Sequence, residues 1–80
     1  MNDREEIKKF LSENFAFAPW NGWKYIWISN GINGVDIFAS KTDVKHDKLG
    51  FSSDTERMIG KVETDIIFNE QFLFERKELI

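Results

Sequence analysis

The sequence predicts a small α+β domain: a single N-terminal helix packed on a four-stranded antiparallel sheet, in the order α-β-β-β-β. Three observations point to it. Residues 3–14 carry apolar side chains at helical spacing. Residues 23–40 hold two alternating runs separated by two Asn-Gly steps. β-branched and aromatic residues return in 62–68 and 72–74, on either side of the polar Asn69-Glu70-Gln71. The 80 residues make a single domain spanning 1–80.

The helix is read over 3–14. Ile7, Phe10, Leu11 and Phe15 fall at i, i+3, i+4 and i+8, which makes one apolar stripe. Asn2 or Asp3 suits the N-cap, and Glu5 and Glu6 stand in the first turn, where the helix dipole favours anions. Pro19 forbids simple continuation. In the connector 15–22, Phe15, Phe17 and Trp20 are expected to plug the end of the core.

Residues 23–29 and 35–40 read as a β-hairpin about Asn30-Gly31-Ile32-Asn33-Gly34. A two-residue turn at either Asn-Gly pair gives the same parity. Ile26 and Ile28 then share a face with Val35, Ile37 and Ala39, the natural seat for the helix. Trp23, Tyr25 and Trp27 share the other face with Asp36, Phe38 and Ser40. Residues 41–55 are mostly polar and read as the longest loop, with Leu49 and Phe51 available to pin it.

In 56–68, Met58, Ile59, Val62 and Ile66 fit a helical stripe, and Ser53-x-x-Glu56 could be a capping box. The β-rich run 62–68 favours strand instead. That reading makes 56–68 and 72–78 a second hairpin about Asn69-Glu70-Gln71, with Phe68 opposite Phe72, Ile66 opposite Phe74 and Glu63 opposite Lys77. Glu75, Arg76, Lys77 and Glu78 would discourage pairing along that edge, whereas Leu79 and Ile80 could join a second chain in a dimer.

The composition narrows the function classes. The net charge is −3 and no Lys/Arg run occurs, so the electrostatic footprint of a duplex-DNA binder is missing. With no cysteine, disulfides and cysteine-based zinc sites are excluded. The N-terminus is charged where a signal peptide would be apolar, and no apolar run approaches the ~20 residues of a membrane span. A cytoplasmic protein with no membrane association is expected.

No chemistry-bearing motif stands out. Asp43-x-x-His46-Asp47 is the sole His/carboxylate cluster; Lys45 and Lys48 within it oppose a cation, so a solvated loop is expected and no metal or cofactor. Gly31-Ile32-Asn33-Gly34 lacks the Lys-Ser/Thr and following helix of a phosphate loop. Ser52 and Ser53 have no nucleophile-elbow context. The carboxylates are interleaved with Lys and Arg, as on a solvated face. No catalytic residue is assigned, and a non-enzymatic protein is expected.

What remains is the aromatic face. Trp23, Tyr25 and Trp27, with Phe38, Lys24 and the loop residues Asn30 and Asn33, form the candidate binding surface. Such rings either complete a core that a chain this short needs or grip a partner. If they are open, a protein partner fits better than nucleic acid, because only Lys24 and Lys41 flank them. The expected function is therefore a small protein-binding inhibitor or modulator of the phage or mobile-element type, acting on a host enzyme or defence complex. The alternative is a single-stranded nucleic-acid module that stacks bases on the same rings.

Overall fold

A computed structural model describes residues 3–17, 20–65 and 71–80. Helix α1 (Asp3–Phe15) is followed by strands β1 (Tyr25–Gly31), β2 (Gly34–Ser40), β3 (Lys45–Asp47), β4 (Gly50–Ser52), β5 (Arg57–Glu63) and β6 (Leu73–Glu75), and by a single turn of helix, α2 (Arg76–Leu79). The main sheet is antiparallel, with four strands in the order β5-β2-β1-β6, and β3 and β4 form a separate two-stranded ribbon. The predicted helix and four-stranded sheet are thus present. The 41–55 segment, expected as a loop, contains the β3–β4 hairpin.

The helix stripe buries Ile7 and Leu11 against the aliphatic face of the sheet, where Ile26, Ile28, Val35, Ile37 and Ala39 form one cluster with Phe74 and Leu79. Asn2 and Pro19 lie outside the described residues, and Asp3 belongs to the first helical turn. At the other end of α1, Phe15 rests over Gly60 of β5, where an added Cβ would collide with its ring. Ala16 is buried and Trp20 packs partly against the core. Phe17 does not join them: it is 83% exposed in the turn that follows the helix.

The β1–β2 turn falls at Ile32-Asn33, between Gly31 and Gly34, rather than at either Asn-Gly pair. Asn33 takes the left-handed conformation (φ 63°), which Asn tolerates better than most residues. The parity is the expected one, so the β1–β2 face assignment holds within the strands, with Ile26 opposite Ala39 and Ile28 opposite Ile37.

The second hairpin does not form as expected. β5 pairs with β2, with Val62 opposite Val35 and Glu63 opposite Gly34, while β6 pairs with β1, with Phe74 opposite Ile26. Each edge of the central hairpin takes one of the two strands, and both long-range pairings add to the helix-side core. The Phe68–Phe72 and Ile66–Phe74 pairs involve residues 66 and 68, outside the described residues. Glu63 is not opposite Lys77, because the chain turns helical at Arg76. That turn brings Leu79 into the core, and Ser12 Oγ donates to the Leu79 carbonyl at 2.8 Å.

Arg4 joins α1 to this C-terminal segment. It donates to the Leu73 carbonyl (3.2 Å) and to Glu78 Oε1 (3.4 Å), and its guanidinium lies 4.4 Å from the Phe74 ring centroid. The backbone N–H of Glu75, at 2.8 Å, holds the Glu78 carboxyl below the usual carboxylate range; partial burial opposes this and Arg4 adds to it. A carboxyl depressed on folding contributes stability that is present above its unfolded pKa and lost as the pH falls through the folded value. Urea denaturation across the acid range is therefore expected to show Glu78→Gln less stable than the parent at neutral pH, with the gap closing on acidification.

Candidate functional site

The candidate aromatic residues separate when the chain folds. Trp27 is 1% exposed. Its ring stacks on Phe38 at a centroid distance of 5.8 Å and meets Phe51 of β4 at 6.4 Å. Phe51 of the β3–β4 hairpin therefore covers Trp27 on the ring face of the sheet, and its cross-strand neighbour His46 stacks on Phe51 at 4.5 Å. Leu49, expected to help pin this segment, projects from the hairpin tip almost fully exposed, so Phe51 does that work.

The hairpin is tied down at its base by hydroxyls. Ser40 Oγ, fully buried, bonds to Ser53 Oγ, to Thr55 Oγ1 (3.1 Å) and to the Thr42 carbonyl (2.7 Å). Thr42 Oγ1 lies 2.9 Å from Ser53 Oγ, and the Lys41 backbone N–H donates to Thr55 Oγ1 at 2.9 Å. On the far side, the Phe51 N–H donates to Gln71 Oε1 at 3.1 Å.

Trp23 leaves the face that alternation assigned to it. It precedes the first residue of β1, so the strand period does not bind it, and its ring enters the helix-side cluster under the Arg76 guanidinium at 5.1 Å. Tyr25 and Phe38 are half-buried; Lys24, Asn30 and Asn33 are exposed. Trp23, Lys24 and Tyr25 do line one recess of about 290 Å³, together with Glu75, Arg76 and Lys77, at the end of the sheet where β1 starts and β6 stops. Lys77 and Glu75 are paired there at 3.1 Å, which raises the Lys77 pKa.

A different concavity carries the apolar surface. Between the first half of α1 and the β2–β5 side of the sheet lies an open groove of about 280 Å³. Ile7, Phe10, Ile28, Val35, Ile37 and Val62 supply its apolar lining, and Asp3 and Glu6 stand at its edge, both exposed. Helical periodicity creates it. Ile7 and Phe10 lie on the sheet-facing side, while Asp3 and Glu6 occupy the preceding turns beside them. Phe10 is left 38% exposed, with its ring 5.9 Å from that of Phe15 between centroids. The 57–63 segment, placed from the sequence in a hairpin with 72–78, is what forms the far wall.

The groove residues were legible only as core. Phe10 belongs to the predicted stripe, and nothing in its spacing separates it from Ile7 and Leu11. The Asp43/His46/Asp47 set is exposed, and the described residues contain no cluster of three metal-ligating side chains. No helix among the described residues is long and apolar enough to cross a membrane.

If Trp27 is a core residue, truncating it costs about 3–5 kcal/mol through the lost ring and the cavity left between β1 and Phe51. Trp27→Ala is accordingly expected to be largely unfolded or to melt far below the parent by circular dichroism. A variant with near-parental melting would show that the ring contributes little to the fold. No protein-family model, curated protein or solved structure matches this chain.

Proposed function

We propose that the protein is a non-enzymatic binding module that inhibits or modulates another protein by taking a segment of it into the groove between α1 and β5. The observation that carries this reading is the groove's composition: an almost wholly apolar lining with two exposed carboxylates at its edge. A segment that presents one large apolar side chain beside a Lys or Arg complements both features. Burying a Leu or Phe side chain there contributes roughly 1.5–3 kcal/mol, and the carboxylates add mainly association rate and orientation.

The sheet face is poorly suited to the same role. Trp27 lies under Phe51, and Trp23 is within the helix-side cluster. The single-stranded nucleic-acid reading needs open rings on which bases stack, so it has less support than a polypeptide partner.

Panning a displayed library of random peptides on the protein tests the proposal. Enriched peptides are expected to pair an aromatic or aliphatic residue with Lys or Arg. Fluorescence anisotropy of one such peptide should show at least about tenfold weaker binding to Glu6→Lys and to Phe10→Ser, and weaker binding at higher salt. Peptides that bind the parent and both variants equally would place the interaction elsewhere.

A further inference from the structure

We infer that the polypeptide taken by the groove is held as an extended strand, added to the sheet along the free edge of β5. The inference rests on the groove being a polypeptide-binding site and assigns the conformation in which its occupant binds. It starts from a mismatch of widths. Four strands make a sheet about 19 Å wide, and one helix covers about 10–12 Å. Arg4 and Ser12 tie α1 toward the β6 side, through the Leu73 and Leu79 carbonyls and the Phe74 ring. The uncovered strip therefore falls toward β5, where the groove lies.

β5 is also where the sheet ends: among the described residues no strand lies beyond it. The ladder with β2 shows which of its backbone groups face outward. The Thr64 N–H donates to the Asn33 carbonyl, and the Val62 carbonyl faces Gly34, where an added Cβ would meet it. Residues 62 and 64 thus turn their backbone groups toward the central hairpin. Direction alternates along a strand, so Lys61 and Glu63 turn theirs outward, to the free edge. Their side chains lie on the face opposite the groove: Lys61 Nζ reaches across to Asp36 Oδ1 at 4.0 Å, and Glu63 is two residues further on the same side.

The straight stretch of this edge coincides with the groove. β5 is in register with β2 from Gly60 to Glu63, and Ile59 is an extra residue between the Ile37–Gly60 and Phe38–Met58 rungs. A bulge of this kind bends the edge and ends pairing. At the same point the Phe15 ring closes over Gly60. Beyond that closure, Val62 and Thr64 line the groove. The opposite edge offers less, because β6 has three residues before the chain turns helical at Arg76.

A strand laid beside β5 presents every second side chain to the helix side. The residue beside Val62 leans into the groove toward Ile7 and Phe10. The next on that face stands beside Thr64. Since Phe15 lies at Gly60, this is the end of the edge nearest Asp3 and Glu6. The matching segment therefore carries a large apolar residue and a Lys or Arg two positions apart, whereas a helix would need them three or four apart. At about 280 Å³ the groove is smaller than the roughly 300–1,000 Å³ of small-molecule pockets, so one buried side chain gives a short segment little affinity. Backbone hydrogen bonds to Lys61 and Glu63 supply the rest.

Two displayed peptide libraries test the inference. One fixes a large apolar residue and a Lys or Arg two positions apart in a strand-forming Thr/Val background; the other fixes them four apart in a helical Ala-rich background. Groove-directed binders, recognised by their loss on both Phe10→Ser and Glu6→Lys, are expected from the first library and not from the second. With the tightest of them bound, hydrogen exchange followed by NMR should slow at the Lys61 and Glu63 amides by at least about tenfold. Lys61→Pro removes an outward N–H, so it should keep the parental melting temperature and bind that peptide at least about tenfold more weakly. Should that variant fold poorly, the exchange measurement decides. Groove-directed binders from the helical library alone, or unchanged exchange at Lys61 and Glu63 in the complex, overturn the added strand and leave the polypeptide-binding reading standing. If neither library yields a binder that depends on Phe10 and Glu6, both fall.

Discussion

The structure depends on covering both faces of the central β1–β2 hairpin. One face of its strands is aliphatic and the other carries Tyr25, Trp27 and Phe38 among Ser29, Asp36 and Ser40, so both bear apolar surface to be covered. α1, with the C-terminal turn, covers the aliphatic face, and Phe51 of the β3–β4 ribbon covers Trp27 on the other. The hydroxyl cluster of Ser40, Thr42, Ser53 and Thr55 makes this possible. It turns the chain back at the end of β2, so that the β3–β4 segment returns with Phe51 against Trp27 and the hydroxyls bonded to one another. With both faces occupied, the large apolar side chains left in water lie on α1 at Phe10, beyond the helix ends at Phe17 and Ile80, at the turns and on the β5 edge.

That distribution shapes the functional reading. A sheet whose rings were open would bind through its centre. Here the apolar concavity is displaced to the seam between α1 and β5, and the helix supplies its own acidic edge through Asp3 and Glu6. Lys24, Lys41 and Arg57 flank strand termini that meet at the far end of the sheet, where Asp43 and Asp54 are also exposed.

Period and turn chemistry made the helix and the central hairpin legible. Ile7 and Leu11 mark a helical face, and the two Asn-Gly steps confine the turn to five residues of the same parity. The remaining strands depend on long-range choice. The residues 57–63 can pair locally with 72–78 or separately with β2, and cross-strand pair preferences, each worth roughly 0.2–1 kcal/mol, do not decide it. Two open edges on the central hairpin do. The candidate site was less legible for a related reason. Trp23 and Trp27 looked like one surface because strand alternation was extended one step beyond the strand, and because nothing local shows that Phe51 lies over Trp27. Phe10 and Val62 acquire their exposed groove only when β5 takes its place beside β2.

The most direct test of this account is the burial of Trp27. Fluorine NMR of protein labelled with 5-fluorotryptophan, assigned by single Trp→Phe variants, reports the solvent contact of each indole through the shift between light and heavy water. The account predicts no solvent-isotope shift for Trp27 or Trp23 and a measurable one for the half-buried Trp20. A solvent shift at Trp27 as large as that of free fluorotryptophan would mean that the β3–β4 hairpin does not cover the sheet, and would return the aromatic face to the surface as the binding site.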